Sequence, residues 1–183
     1  MYYDIASCKV PEWFGLKGIR PLEITAKDSR ELKAKSRARG MIVLVRPSKE
    51  VFRTAVEKAL VDAVLPDRTR GRDYFHHPRT LLNNVTAKLM SRNKVSLLFT
   101  LKELRDSKGI ERALIWRRMK YETGICTKKD VPIMIASGAR EEKDLVGRHS
   151  LLAFGELLGL SPDKAKSALY YAQEKILKRL NAT

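Results

Sequence analysis

Residues 131–166 read VPIMIASGAREEKDLVGRHSLLAFGELLGLSPDKAK and combine an apolar run, a polar loop and the beginnings of two helices. The apolar run Val131–Ala136 is rich in β-branched residues and is short enough to be a strand buried on both faces. Ser137, Gly138 and Arg140 follow at once, and small residues there allow a ligand to approach the backbone closely. Because α/β proteins usually carry their functional loops at the carboxyl ends of strands, the stretch predicts an α/β fold with a site here.

Two capped helices are predicted in the second half of this stretch. The leucines at 151, 152, 157 and 158 form an apolar helix, and Gly159 stands where a left-handed cap ends it. Ser161 then caps a second helix, with Pro162 at its first position. Apolar residues recur at helical spacing beyond this cap: Ala165, Ala168, Leu169, Ala172, Ile176 and Leu180. The last helix is therefore expected to pack one face against a core.

Short apolar runs recur along the rest of the chain, with amphipathic stretches between them. Seven strands are predicted: Tyr2–Ala6, Ile19–Ile24, Met41–Arg46, Val61–Leu65, Asp73–Phe75, Val95–Thr100 and Val131–Ala136. A helix is predicted over Ser48–Leu60, with Ser48 as its cap. Strands that alternate with helices favour a parallel sheet with right-handed crossovers. No linker divides the sequence, so we predict one domain over residues 1–183.

The chain is strongly basic, with 37 Lys and Arg residues against 21 Asp and Glu residues and a net charge of +16. Such an excess favours a polyanionic partner over a basic protein without one. Cys8 and Cys126 match neither a disulfide framework nor a metal-ligand spacing, which suits a reducing cytosol. We find neither a signal peptide nor an apolar run of spanning length, and we expect a soluble intracellular protein without membrane contact.

Arginine residues alternate at positions 68, 70 and 72 in a glycine-containing loop after a predicted strand, and Arg79 follows. Guanidinium groups bind phosphates through paired hydrogen bonds, so this loop is predicted to contact RNA. Trp116 and Tyr121 lie among further basic residues and could stack on bases, although packing of Trp116 against the core is slightly favoured. For the highly charged segment 27–39, a solvated outer helix and an RNA-binding face are equally good interpretations.

Catalytic patterns are weak. The three histidines are His76, His77 and His149. His76 and His77 are adjacent, and adjacent residues on a strand point to opposite faces, so a dinuclear metal site is improbable. Three acidic residues fall near the ends of predicted strands and could form a magnesium site: Asp4, Glu23 and Asp67. We favour ion pairs with Arg or Lys for them.

Three blocks of the sequence resemble the ribonuclease P protein component 3 family. The opening MYYDIAS resembles its first strand, with Asp4 in place. The central block carries the pairs Pro78-Arg79 and Leu82-Asn83, then Ala87-Lys88-Leu89 before the strand Val95–Phe99. The third block is the turn at residues 137–139 with the later LLGLS. The chain departs from the family at residues 146–150, which read VGRHS where the family tends to carry arginine-glycine-proline and an aspartate.

This resemblance implies a TIM-barrel-like (β/α) barrel with about seven strands, which 183 residues would make short or incomplete. It implies a protein subunit of ribonuclease P, the ribonucleoprotein endoribonuclease that removes the 5′ leader of precursor tRNA. The implied chemistry belongs to the RNA and its Mg²⁺, while the chain supplies no catalytic residue and binds no cofactor or metal.

The implied partners are the ribonuclease P RNA, a ferredoxin-like subunit in a heterotetramer, other ribonuclease P proteins and, indirectly, precursor tRNA. The implied location is an archaeal cytoplasm, or the nucleus in a eukaryote. Residues predicted to contact RNA are Arg68, Arg70, Arg72, Arg79, Asn83, Ser137, Arg140 and Arg148. The alternative is a metal-dependent phosphoesterase-like barrel that acts alone, and a general RNA-binding module is a third hypothesis.

Overall fold

The computed structural model describes residues 2–14, 16–74 and 77–170, and every strand pair in these ranges is parallel. The strands are β1 (Tyr2–Ile5), β2 (Leu16–Ile19), β3 (Leu22–Ile24), β4 (Ile42–Val45), β5 (Ala63–Leu65), β6 (Ser96–Thr100) and β7 (Ile133–Ala136). β1 pairs with β2, and β3 to β7 form a five-stranded sheet in chain order. Neighbours in sequence are thus neighbours in space, as in the wall of a (β/α) barrel.

Helices connect most of these strands. They are α1 (Ser29–Lys35), α2 (Lys49–Glu57), α3 (Asn84–Asn93), α4 (Leu101–Asp106), α5 (Gly109–Lys129) and α6 (Arg148–Leu157), with 3-10 turns at Glu12–Phe14 and Glu142–Asp144. Residues 162–170 are also helical. The predicted caps are confirmed: Ser48 accepts a hydrogen bond at the start of α2, and Gly159 has a φ of +101° after α6. Ala172, Ile176 and Leu180 lie outside the described residues.

Side chains of the central strands alternate between two hydrophobic layers. Val43, Leu98 and Met134 belong to a cluster inside the barrel. Their neighbours Leu44 and Phe99 belong to the larger cluster, which packs the outer face of the sheet against the helices. Burial on both faces explains why the strands read as continuous apolar runs.

The junction between β1 and β7 is made by a side chain, since no described backbone ladder joins these two strands. The Asp4 carboxylate accepts hydrogen bonds from the Ser137 backbone N–H at 2.7 Å and from the Ser137 hydroxyl at 2.6 Å. Ser7 N–H also donates to the Ala139 carbonyl at 2.8 Å. Burial raises the pKa of Asp4 to about 6, although the Ser137 donors favour its charged form. The described strands therefore do not form one continuous hydrogen-bonded ladder, as expected for a short or incomplete barrel.

Two predicted strands need correction. Ile19–Ile24 was expected as one strand, but it is divided between β2 and β3, which belong to different sheets. Pro21 stands at the break, and proline has no N–H with which to continue a ladder. In the predicted strand Asp73–Phe75, residues 73 and 74 lie in a loop, while Phe75 lies outside the described residues. The barrel fold is confirmed, and one domain over residues 1–183 stays a prediction.

Candidate nucleic-acid interface

The long segment between β5 and α3, residues 66–83, contains no helix or strand among its described residues. We call it the β5–α3 loop. Connections of this length without secondary structure are uncommon in compact domains and usually serve a function. This loop carries four of the predicted RNA-binding arginines, at positions 68, 70, 72 and 79. The structure separates these four into one interior residue and three surface residues.

Arg68 is the interior residue, with 1% of its side chain exposed. Its Nε donates to Glu122 at 2.7 Å, its Nη1 donates to Glu103 at 2.9 Å and its Nη2 donates to the Leu98 carbonyl at 3.1 Å. The guanidinium also lies 4.6 Å from the centre of the Phe99 ring. Burial alone would lower the pKa of Arg68, but the two glutamates outweigh it and raise the pKa. The Arg68 donors are already used inside the protein, and its predicted RNA contact stays an untested prediction.

A second buried arginine, Arg118 of α5, holds the backbone of the loop. Its Nη1 donates to the carbonyls of Arg68 at 2.7 Å and Arg70 at 3.0 Å, and its Nη2 donates to the Gly71 carbonyl at 2.6 Å. Its Nε donates to Asp73 at 2.8 Å. One side chain thus satisfies three loop carbonyls and one carboxylate, which replaces the hydrogen bonds that a helix or strand would supply.

The other three arginines of the β5–α3 loop face solvent. Arg70 has 85% of its side chain exposed and forms a weak pair with Asp67 at 3.3 Å. Arg72 and Arg79 are also exposed. Gly71 has a φ of +83°, and a Cβ atom at this position would collide with the Arg79 guanidinium. The loop backbone therefore requires glycine here, both for its conformation and for the close packing of Arg79.

Asn83 caps the amino end of helix α3. Its side-chain oxygen accepts from the backbone N–H groups of Val85 and Thr86, both at 2.9 Å. In turn, the Thr86 hydroxyl oxygen accepts from the Asn83 backbone N–H at 2.9 Å. This capping box begins α3 and gives the Asn83 side chain a structural role. Contact between its exposed amide and RNA stays a prediction.

The loop after β7 contains both a structural and an exposed residue. Ser137 is 1% exposed, and its backbone N–H and hydroxyl donate to Asp4, which gives it a structural role. Its contact with RNA stays a prediction. Arg140 is exposed at the rim of the barrel mouth. Arg148 is half-buried, with its guanidinium 5.0 Å from the centre of the Tyr2 ring. RNA contacts by Arg140 and Arg148 stay predictions.

The barrel mouth is a cavity of about 490 Å³ at the carboxyl ends of the strands. Glu23 and Asp67 line it, whereas the third member of the suggested acidic cluster, Asp4, is buried against Ser137. Two of the lining acids are paired with arginines, Glu103 with Arg68 and Asp67 with Arg70. Within residues 2–14, 16–74 and 77–170, no group of three or more His, Cys, Asp or Glu side chains could hold a metal ion.

Helix α5 contains the residues that sequence reasoning missed. Ile115, Met119 and Cys126 form its buried stripe, and Arg118 and Glu122 lie on the same face. Arg118 and Glu122 occupy positions where the helical pattern of α5 calls for apolar residues. Charged residues are almost never buried unless they are paired, so their place in this pattern was the signal of a buried ion pair. Glu122 accepts from Arg68 at 2.7 Å and from Thr80 at 2.5 Å, which ties α5 to two points of the β5–α3 loop.

Two open interpretations can be compared with the structure. Trp116 is partly buried against the core, 6.5 Å from Phe154 between ring centres, so the packing interpretation is confirmed. In α1, Leu32 is the buried residue, as expected for an outer helix. Whether α1 also contacts RNA stays open.

These features define a class: a parallel (β/α) barrel with a fixed, arginine-bearing loop at the carboxyl end of its strands. A family model described as RNase P subunit p30 matches residues 7–182. The chain belongs to this family.

Similar proteins include two archaeal proteins named ribonuclease P protein component 3. The one from Methanosarcina mazei is 30% identical over 167 residues, which cover 89% of this chain and 66% of that protein. The one from Archaeoglobus fulgidus is 27% identical, with 84% and 71% covered. The chain thus spans slightly less than two thirds of the length of the Methanosarcina relatives it matches, with 66%, 66% and 65% covered.

Solved structures with a similar fold include the following two. A chain in a cryo-EM structure of archaeal ribonuclease P with mature tRNA has a TM-score of 0.74 at 23% identity, with 93% of this chain and 72% of that chain covered. An amidohydrolase has a TM-score of 0.54 at 13% identity, with 86% and 42% covered. Both matches concern the fold. A search of the described helices finds none with the length and apolarity needed to cross a bilayer.

Proposed function

We propose that this chain works as a protein subunit of ribonuclease P, the endoribonuclease that removes the 5′ leader of precursor tRNA. In this proposal the RNA and its Mg²⁺ carry out hydrolysis, and the isolated chain has no catalytic activity and binds no cofactor itself. The observation that carries the proposal is the family match over residues 7–182. The barrel shared with a chain of archaeal ribonuclease P supports it.

The proposed role of the chain is to support the catalytic domain of the ribonuclease P RNA. A net charge of +16 lowers the repulsion between phosphates that are brought close together in a folded RNA. The β5–α3 loop suits this role because its backbone is held by Arg118 while Arg70, Arg72 and Arg79 remain exposed. Arg140 adds an exposed guanidinium at the barrel mouth. The chain would supply charge and geometry to the RNA.

The proposed protein partners are a ferredoxin-like subunit, in a heterotetramer with this chain, and the other ribonuclease P proteins. Precursor tRNA is proposed as an indirect partner. Support comes from the family resemblance and from the archaeal relatives named as ribonuclease P components. The archaeal sources of these relatives also support an archaeal cytoplasm as the place of action.

Cleavage of a precursor tRNA by the reconstituted enzyme tests the proposal. The reaction contains the cognate ribonuclease P RNA and the ferredoxin-like subunit at moderate Mg²⁺, with this chain added or left out. We expect cleavage at the 5′ leader to require all three components, with no cleavage by the protein alone. No change on adding the chain to active partners would reject the proposal.

Single-residue variants test which surface meets the RNA. Arg72→Ala and Arg140→Ala are expected to weaken RNA association or activation without loss of stability, because both side chains are exposed. Arg53→Ala is the matched control, since Arg53 is an exposed arginine on α2 whose pairing with Glu57 is loose at 3.9 Å. Unchanged activation in both test variants would reject this placement of the RNA surface and leave the subunit assignment standing.

A metal-dependent phosphoesterase-like barrel that acts alone makes the opposite prediction. Turnover by the isolated chain would then depend on mouth carboxylates, and Asp67→Ala would abolish it. We retain the ribonuclease P assignment because the family match over residues 7–182 supports it.

A further inference from the structure

An exposed aromatic ring lies beside the arginines of the β5–α3 loop. Tyr74 is 73% exposed, although tyrosine usually buries most of its ring. Its own N–H donates to the His77 carbonyl at 3.0 Å, and the preceding Asp73 is bonded to Arg118. The exposed ring is therefore attached to a hydrogen-bonded residue.

Asp73, the residue before Tyr74, has a further guanidinium close to its carboxylate. Its carboxylate accepts from Arg118 Nε at 2.8 Å and from the Arg79 backbone N–H at 2.9 Å. Arg117 of α5 approaches the other carboxylate oxygen, with its Nη1 at 3.8 Å, and half of the Arg117 side chain stays exposed. Partial burial would raise the pKa of Asp73, but these donors outweigh it and lower the pKa. Asp73 is thus an anion held by Arg118, with the half-exposed Arg117 guanidinium nearby.

A second tyrosine extends this surface along α5. Tyr121 lies four residues after Arg117, so the two side chains are neighbours on one face of the helix. Tyr121 is 37% exposed. The β5–α3 loop and α5 therefore each carry an exposed tyrosine and exposed arginines. We call Tyr74, Arg117 and Tyr121, with the loop arginines Arg72 and Arg79, the loop–helix surface.

Rings combined with guanidinium groups fit unpaired nucleotides better than a duplex. Base faces are available for stacking where RNA is single-stranded, and they are hidden inside a helix. Guanidinium groups beside the ring supply phosphate contacts. We propose that the loop–helix surface binds unpaired nucleotides of RNA, with a base stacked on Tyr74 and phosphates on Arg117 and Arg72. This inference rests on the proposed function and specifies which kind of RNA element the subunit binds.

Charge favours RNA over a protein partner at this surface. Tyrosine and arginine are also enriched where proteins bind each other. Here, however, the surface carries three exposed arginines, Arg72, Arg79 and Arg117, and one acid, Asp73. The Asp73 carboxylate already accepts from Arg118 Nε and the Arg79 backbone N–H, and it lies 3.8 Å from the Arg117 guanidinium. The surface is therefore positive overall, and a polyanion with flat apolar faces matches it.

Equilibrium binding of two RNA probes tests the inference. The probes are a short single-stranded oligonucleotide and a duplex of the same sequence, and the protein is the whole chain. We expect Tyr74→Ala to weaken single-strand binding by about tenfold, as for loss of one stacked base, and to change duplex binding by less than about twofold. Tyr74→Phe keeps the ring and is the matched control, expected to bind like the parent. Arg117→Ala should reduce the salt dependence of single-strand binding by about one phosphate contact.

Three outcomes would overturn the inference. One is equal loss with both probes, and another is equal loss in Tyr74→Ala and Tyr74→Phe. The third is unchanged RNA binding with weaker association of Tyr74→Ala with the other protein subunits, which would assign the surface to a protein. Thermal unfolding of each variant checks the fold, and because Tyr74 is exposed we expect unchanged midpoints.

Failure of this inference is distinguishable from failure of the proposed function. If precursor tRNA cleavage requires the chain but Tyr74→Ala cleaves and binds like the parent, the subunit assignment stands and the stacking surface is rejected. If the chain leaves cleavage unchanged while Tyr74→Ala loses single-strand binding, the surface stands and the ribonuclease P role is rejected.

Discussion

The inward and outward sides of the β5–α3 loop carry the same residue type with opposite consequences. Arg68 has 1% of its side chain exposed and donates to Glu122, Glu103 and the Leu98 carbonyl. Arg70, two residues later, has 85% of its side chain exposed and one weak ion pair. The inward arginine is part of the core, whereas the outward arginine is available to a partner. Residue type and spacing alone do not separate a structural cation from a binding one.

Energetics separates the two sides as well. A buried charge is costly unless it is paired, so loss of one partner leaves the other uncompensated in the interior. A surface charge is already solvated, and its removal changes stability little. The inward side should therefore control folding, and the outward side should control RNA affinity.

The sharpest test of this division is Arg68→Ala. It leaves Glu103 and Glu122 without their counter-charge, and we expect the free energy of unfolding to fall by about 3–5 kcal/mol. Arg70→Ala is the control and should stay within about 0.5 kcal/mol of the parent. Urea denaturation followed by circular dichroism measures both. A loss below about 1 kcal/mol for Arg68→Ala would break the comparison.

Asp4 extends the comparison to a buried charge that has hydrogen-bond donors but no counter-charge within its hydrogen bonds. Its folded pKa of about 6 lies above the ordinary aspartate value of 3.8, so the folded state binds the proton more tightly. This contribution to stability is complete below about pH 4 and is lost as the pH rises through about 6, a change of up to about 3 kcal/mol.

Asp4→Asn removes this titration. We expect the difference in free energy of unfolding between parent and variant to change between pH 4 and pH 7 by up to about 3 kcal/mol, with the parent losing stability as the pH rises. Guanidinium denaturation at several pH values measures it, and other carboxylates cancel in the difference. A difference that is constant with pH would show that Asp4 keeps its ordinary pKa.

Arg118 should give a smaller effect that is confined to the loop. Arg118→Lys keeps the charge but cannot reach three carbonyls and Asp73 together, and we expect a loss of about 2 kcal/mol. Limited proteolysis should then cut faster within residues 66–83. Arg117→Lys, at the neighbouring exposed position, should be cut at the parent rate. Equal rates in Arg118→Lys and the parent would mean that other contacts hold the loop.

The smallest effect on stability is expected on the outward side. Arg70→Ala combined with Arg72→Ala should leave the free energy of unfolding within about 0.5 kcal/mol of the parent. The same variant should reduce the slope of log affinity against log salt for the ribonuclease P RNA by about one to two units. An unchanged slope, with Arg53→Ala as the reference, would remove these arginines from the RNA surface.

Local patterns predicted much of the fold. The apolar runs at residues 41–46 and 131–136 contain strands β4 and β7. The helix caps at Ser48 and Gly159 are found at the predicted positions. Such features depend on neighbouring residues and so are visible in the sequence. The strand expected at Ile19–Ile24 was divided because pairing partners change at Pro21, and partners are not a local property.

The candidate site was predicted less well, for a related reason. Ser137 and Arg68 are predicted at the RNA surface. In the structure Ser137 donates to Asp4, and Arg68 pairs with Glu103 and Glu122, which are distant in the chain. Arg118 is the converse case, because it lies in a basic run and yet holds the loop from inside. Long-range pairs of this kind are absent from any local pattern.

By itself the sequence determined the alternation of strands and helices, the helix caps, the basic character and the resemblance to one family, because these depend on composition and short spacings. Tertiary structure alone decided which arginines are buried, how Asp4 joins β1 to β7 and how Arg118 holds the described part of the β5–α3 loop without helix or strand. Burial is set by contacts between residues far apart in the chain. An arginine becomes a core residue where those contacts deliver carboxylates to it, and it stays a surface cation where they do not.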